Sequence, residues 1–140
     1  MLQKLIQRLP QEIIDIIITY SYQPQNKYLL ADIRNYYYSK KKIMSIYNYI
    51  YKHAGINSDI EWIINDIFAY MNNYYPIMKG YLDKFNAILL RSYNLSEKSI
   101  LRYIAGLETK PILTQINILW GLFNIDERNE FISKIFLLNI

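Results

Sequence analysis

The chain has no cysteine, no valine, a single histidine, and only four glycines and four prolines. Without cysteine there can be no disulfides, no thiolate metal sites and no cysteine nucleophile, a usage that agrees with a reducing compartment. Valine and isoleucine do similar work in a core, so no physical rule excludes valine. An AT-rich coding sequence, whose codons favour Ile, Asn, Lys and Tyr, accounts for its absence. No apolar run approaches the ~20 residues needed to span a bilayer. The start, Met1-Leu2-Gln3-Lys4-Leu5-Ile6-Gln7-Arg8, is amphipathic, unlike the continuous apolar stretch of a signal peptide. These features predict a soluble, intracellular protein with no membrane partner.

The scarcity of histidine and glycine also thins the catalytic options. His53 sits at the expected C-terminal end of a helix, before Ala54-Gly55, where a cationic ring complements the helix dipole. Gly55, Gly80, Gly106 and Gly121 are isolated, so no glycine-rich loop can cradle phosphates. Gly106 and Gly121 are expected to allow close helix packing or a bend. The acid pairs Glu12/Asp15, Asp59/Glu61 and Asp126/Glu127 all fall near expected helix N-termini, where the dipole favours carboxylates. The expectation is a non-enzymatic chain with no catalytic residue, no metal site and no cofactor.

What is present is apolar periodicity. Hydrophobic residues make up 52% of the 140, and they recur at three- and four-residue spacing. The expected fold is all-α, a compact bundle of about eight short-to-medium helices in one domain, residues 1–140. A short helix is expected at 2–8, then one from Pro10 to about Tyr22, with proline in the first turn. Its Ile13, Ile14, Ile16, Ile17 and Ile18 predict burial on most sides. Asn26 should cap the next helix, with Leu29, Leu30, Ile33 and Tyr37 inward, and Ser39 should cap another through Ile43, Ile46, Tyr47 and Ile50. Ser58-Asp59-Ile60-Glu61 has capping-box spacing and opens a helix with Trp62, Ile63, Ile67, Phe68, Met71 and Tyr75. Helices starting near Ile77, Ser96, Pro111 and Asp126 complete the set. Their expected core residues are Ile77, Tyr81, Phe85, Ile88, Leu89; Ile100, Leu101, Ile104, Leu107; Leu113, Ile116, Leu119, Trp120, Phe123; and Phe131, Ile132, Ile135, Phe136.

Charge is uneven. Residues 1–54 carry eight Lys/Arg against three acids, and residues 55–140 carry eight against nine. The basic part contains Arg34, Tyr36, Tyr37, Tyr38, Lys40, Lys41 and Lys42, with Lys27, Lys52, Tyr47, Tyr49 and Tyr51 nearby. Aromatics that stack on bases, beside lysines that neutralise phosphates, are what single-stranded nucleic-acid binding needs. Arg34, Tyr36, Tyr37, Lys40, Lys41 and Lys42 are therefore the candidate nucleic-acid residues. The large apolar fraction also points to self-association, since a monomer of this size has more apolar surface than it easily hides.

The stretch Leu9-Pro10-Gln11-Glu12-Ile13-Ile14-Asp15-Ile16-Ile17 resembles the opening of an F-box. Pro24 falls near the family's following proline, and Leu29, Leu30 and Ile33-Arg34 fit its later aliphatic and basic positions. The likeness covers residues 5–45. The Cys and Trp common late in that motif are absent, and Tyr36 to Tyr38 occupy the region. The resemblance implies a protein–protein interaction module in which Leu9, Pro10, Ile13, Ile14 and Ile17 meet a Skp1-like adaptor. The whole chain is also similar to small proteins of giant nucleocytoplasmic DNA viruses of the mimivirus kind. Tyr20-Ser21-Tyr22-Gln23-Pro24-Gln25, Asp32 to Tyr36 and Gln115 to Phe131 carry that likeness. It implies a viral protein made in the host cytoplasm, or carried in the virion.

Overall fold

The computed structural model describes residues 9–21, 26–53, 60–92 and 96–138. The expected helix at 2–8, Gly55 and the Ser58-Asp59 start of the expected capping box lie outside them. Among the described residues the fold is all-α, with seven α-helices and no strand. They are α1 (Gln11–Ser21), α2 (Lys27–His53), α3 (Glu61–Met71), α4 (Asp83–Ser92), α5 (Glu97–Glu108), α6 (Ile112–Leu122) and α7 (Ile125–Leu138), with a single 3-10 turn at Ile77–Lys79. The chain divides into two compact units, Met1–Ala31 and Asp32–Ile140.

The first unit holds α1 and the first turn of α2. Pro10 sets the start of α1, its carbonyl accepting from the amides of Ile13 and Ile14. Asn26 caps α2 as expected, its Oδ1 accepting from the Tyr28 amide at 2.9 Å. The expected burial of α1 is corrected: none of its side chains is buried. At about 100° per residue, Ile16, Tyr20, Ile13, Ile17, Ile14 and Ile18 sweep roughly 200° of its circumference. A helix so widely apolar reads as a core helix, yet this unit supplies too little chain to enclose it.

The second unit has a continuous core. Ile43 and Tyr47 of α2 join Ile63, Ile67, Tyr70 and Met71 of α3, Phe85, Ile88 and Leu89 of α4, and Ile100, Ile104 and Leu107 of α5. Ile116, Leu119 and Trp120 of α6, Phe123, and Phe131, Ile132 and Ile135 of α7 complete it. At its centre Phe131 meets Tyr70 and Trp120 edge-on, with ring centroids 5.5 Å apart in each pair. Each such side chain, fully withdrawn from water, contributes about 1.5–3 kcal/mol. Several expected core positions lie outward instead: Leu29, Ile33, Tyr37, Trp62, Tyr75, Ile77, Leu101, Leu113 and Phe136 are exposed.

Several boundaries also differ from expectation: α3 stops at Met71, short of Tyr75, and the helix expected from near Ile77 starts only at Asp83, after the 3-10 turn. Ser39 does not start a helix; α2 runs unbroken through it, and Ser39 is buried. Its hydroxyl donates to the Tyr36 carbonyl at 3.3 Å and accepts from the Trp120 indole N–H at 2.9 Å. Asn124 rather than Asp126 caps α7. Its Oδ1 accepts from the Glu127 amide, and the Glu127 carboxylate accepts from the Asn124 amide, both at 2.9 Å. That reciprocal pair is a capping box.

Between α3 and α4 the backbone is held by one buried side chain. Asn72 donates to the carbonyls of Tyr75 and Gly80 and accepts from the Leu82 amide at 2.7 Å. The segment needs unusual dihedrals, with Asn73 and Tyr74 at positive φ and Gly80 at φ 92°. Among the described glycines, only Gly80 meets a conformational need. Gly106 and Gly121 were expected to permit close packing, but an added Cβ would meet nothing within 4 Å at Gly106 and only the Tyr36 ring edge at 3.9 Å at Gly121.

Candidate interaction surfaces

The F-box-like residues lie at and along α1. Leu9 is 39% exposed, Ile13 42% and Ile17 51%; Pro10 is exposed and Ile14 half-buried. Ile16 and Ile18 lie open beside them. The opposite face is polar and internally satisfied. Gln11 donates to Asp15 Oδ1 at 2.9 Å, and the Thr19 hydroxyl donates to the Asp15 carbonyl. The result is a short amphipathic helix whose apolar side its own unit leaves open.

The basic, tyrosine-rich residues lie on α2, and its period separates them. One face points into the second unit. Arg128 of α7, 1% exposed, donates to Asp32 Oδ1 at 2.7 Å, to Asn35 Oδ1 at 3.2 Å and to the Trp120 carbonyl at 3.1 Å. Its guanidinium lies 5.5 Å from the centre of the Tyr36 ring. The Tyr36 hydroxyl donates to the Asn117 carbonyl at 3.3 Å. Burial raises the Tyr36 phenol above its ordinary range, and the Arg128 charge pulls the other way. Tyr36 is thus a strut between α2 and α6. Lys40 lies one turn along on the same side, its amine 5.8 Å from the Tyr36 ring centre.

The opposite face of α2 is open. Arg34, Tyr37, Tyr38, Lys41 and Lys42 are exposed, as are Tyr49, Lys52 and His53. Tyr37 and Tyr38 meet edge-on with centroids 5.3 Å apart. The six candidate nucleic-acid residues therefore do not share one surface. Arg34, Lys41 and Lys42 share the face of Tyr38 and Tyr49, Tyr37 flanks it, and Tyr36 and Lys40 turn away. Tyr49, which the sequence offers only as a neighbour of the 36–42 run, joins Tyr38 by an 11-residue spacing that returns to within about 20° on a helix.

His53 ends α2 with its Nδ1 donating to the Tyr49 carbonyl at 2.8 Å and its ring centroid 4.1 Å from that of Tyr49. That is the placement expected of a ring complementing a helix C-terminus.

The other polar clusters are structural in geometry. The Tyr47 hydroxyl donates to Asp66, and burial pushes both groups above their ordinary ranges. The Tyr70 hydroxyl donates to Glu130 at 2.6 Å, and Lys134 pairs with the same carboxylate at 2.8 Å. The Lys134 and Tyr70 hydrogen bonds hold the Glu130 carboxyl below its usual range. Lys84 lies 3.7 Å from the Tyr70 ring centre, and burial lowers its amine. A groove of about 590 Å³ between α3, the 74–77 segment and α6 has aromatic walls, Phe68 and Tyr74, with Glu61 and Glu108 at its margin.

Among the described residues no group of three or more His, Asp or Glu is placed to hold a metal ion. No described helix is long and apolar enough to cross a membrane. Compared with known proteins, the chain matches no family model, no curated protein and no solved structure.

Proposed function

We propose that this chain is a non-enzymatic protein–protein interaction module that engages its partner through α1, in the manner of an F-box segment meeting a Skp1-like adaptor. The observation that carries the reading is the combination in α1 of a wide isoleucine face with no buried side chain. Leaving such a face in water is unfavourable, and a patch of this kind on a small unit marks a binding surface. Fully burying an aliphatic side chain gains about 1.5–3 kcal/mol. Completing the burial of half-exposed Ile13, Ile16 and Ile17 would supply roughly half of that from each. The F-box-like order of residues 9–17 selects the class of partner. Viral origin and action in the host cytoplasm belong to the same proposal.

Titration calorimetry with a purified Skp1-like protein tests it. The expected result is saturable binding that drops by at least tenfold in Ile13→Asp and Ile17→Asp, each made at an exposed position. Absence of binding by the unaltered chain removes the adaptor reading. Light scattering on the same samples distinguishes self-association: a dimer dissolved by the two substitutions assigns the α1 face to a second copy.

A further inference from the structure

The open face of α2 borders a seam with α7, and two grooves open along it. One, of about 400 Å³, is lined by Asn35, Tyr38, Lys42, Asn129 and Ser133 among others. The other, of about 350 Å³, is lined by Lys42, Ile46, Tyr49, Ile50 and Phe136 among others. Lys42 stands where they meet, its amine 5.4 Å from the Phe136 ring centre. The first groove offers amide and hydroxyl groups beside an exposed tyrosine. The second offers apolar walls beside another.

We propose that this seam binds single-stranded nucleic acid, with Tyr38 and Tyr49 stacking on bases and Lys42 meeting the phosphates between them. This is separate from the α1 surface. Three features of the geometry favour the assignment. Tyr38 and Tyr49 are 68% and 65% exposed, and eleven residues put them on one face of α2, about 16 Å apart along its axis. That separation suits a few nucleotides of an extended strand. Every ionisable group on that face other than the tyrosines is basic: Arg34, Lys41, Lys42, Lys52 and His53. The one carboxylate of α2, Asp32, is engaged by Arg128.

The α7 residues that line the two grooves add no opposing charge. They include Asn129, Ser133 and Phe136. Glu127 and Glu130 of that helix are committed to Arg91 and Lys134, and its remaining acid, Asp126, is exposed one turn before Asn129, beyond the residues that line the grooves. Along the two grooves, from Asn129 to Phe136, a polyanion meets no carboxylate among the lining residues. The alternation of lysine with exposed aromatics is sequence-tolerant, because every base has a stacking face.

Fluorescence anisotropy with labelled 15-nucleotide oligo-dT and oligo-U tests the proposal, with a polyglutamate peptide and a 15-base-pair duplex as comparisons. Three to four phosphate contacts predict a slope of log K on log salt of roughly −2 to −3 for a single strand. Raising salt from 50 to 200 mM should then weaken binding about 20- to 60-fold. Tyr38→Ala and Tyr49→Ala should each weaken it about tenfold, and Tyr38→Phe and Tyr49→Phe should restore it. Lys42→Glu should weaken it and flatten the salt slope. Both tyrosines are exposed, so circular dichroism of the alanine variants should match that of the parent chain. Equal retention of oligo-dT and oligo-U leaves the shared chemistry as the ligand, whereas preference for one names it. The proposal is overturned if the alanine variants bind like the parent, or if polyglutamate or duplex binds as tightly as the single strands. It is equally overturned if no oligonucleotide binds at 50 mM salt.

Discussion

Replacing Arg128 by methionine should cost the second unit about 3 kcal/mol. Methionine is unbranched and roughly preserves the aliphatic stem, so the loss falls mainly on the polar contacts. The Trp120 carbonyl lies in the last turn of α6, where backbone acceptors have no intrahelical donor. Arg128 Nε supplies one at 3.1 Å. Leaving that buried carbonyl unpaired costs about 1–3 kcal/mol. The ion pair with Asp32 contributes less than its 2.7 Å length suggests, because the Asp32 side chain is 44% exposed. Water can replace the guanidinium there, so that loss is about 1 kcal/mol. Asn35 also loses a partner, and the Tyr36 ring loses a cation over its face, for a further ~0.5–1 kcal/mol each. Relief of the cost of burying a guanidinium offsets part of this. Urea unfolding followed by far-UV circular dichroism and by the fluorescence of buried Trp120 reads the change as a shift in midpoint at constant slope. A melt should show a drop of about 12 °C, from roughly 4 °C per kcal/mol at this length. Asp32→Ala should cost about 1 kcal/mol alone and less in the Arg128→Met background, a coupling of the same order. If Arg128→Met loses under 1 kcal/mol, the contacts to α2 and α6 do not hold those helices together and the reasoning fails.

Five other substitutions have signs fixed by the structure. Gly80→Ala should destabilise by about 1–3 kcal/mol, purely from backbone strain at φ 92°, since an added Cβ meets nothing within 4 Å. Gly106→Ala and Gly121→Ala should instead stabilise by about 0.5–1 kcal/mol each, as helical glycines with room for a methyl; thermal melts of the three variants decide it. Asn72→Ala should cost about 2–3 kcal/mol by orphaning the carbonyls and amide it joins, read by urea midpoint. Asp66 is raised mainly by burial, against the lowering effect of its hydrogen bond from Tyr47. The folded chain therefore holds that proton more tightly than the unfolded chain, and stability falls as pH rises from the ordinary carboxylate value, about 4, through the raised one. Asp66→Asn keeps an acceptor for Tyr47 and should flatten that fall in a series of melts across pH; an unchanged pH profile would rule out Asp66 as its source.

The helical class was legible because apolar residues at three- and four-residue spacing need no tertiary context. Ile43 and Tyr47, Ile63 and Ile67, Phe85 and Leu89, Ile100 and Ile104, Ile116 and Trp120, and Ile132 and Ile135 all face the core as their spacing predicts. Polar contacts between distant positions were not legible. A serine reads as a cap from its neighbours, but the indole that fixes Ser39 inside α2 comes from position 120. Arg128 reads as a surface charge until Asp32 and Asn35 are brought to it. The burial of α1 was misjudged for a related reason: six large side chains around a helix predict a core only if enough chain surrounds it. At the α2 surface the residue types were legible and their grouping was not. Consecutive tyrosines and lysines attract notice as a run, but a helix distributes a run around its axis. Tyr38, Lys42 and Tyr49 belong together by angle, not by adjacency.

The tyrosines show the same division between composition and position. The chain has fifteen, which by itself says nothing about binding. A tyrosine buried in a core needs a partner for its hydroxyl, and the buried ones have it: Tyr47 donates to Asp66 and Tyr70 to Glu130. Half-buried Tyr36 donates to a backbone carbonyl. In each case burial holds the phenol above its usual range. Tyr38 and Tyr49 instead are largely exposed, Tyr38 edge-on to Tyr37 and Tyr49 beside the His53 ring. Rings so exposed add little to the core, and under the proposal above they are what a base would stack on. The same argument applies to the isoleucines of α1, with an apolar partner in place of a base. The two faces thus differ in the chemistry they leave unsatisfied, and salt separates them experimentally: binding through α1 should be nearly indifferent to it, and binding along the α2–α7 seam should not.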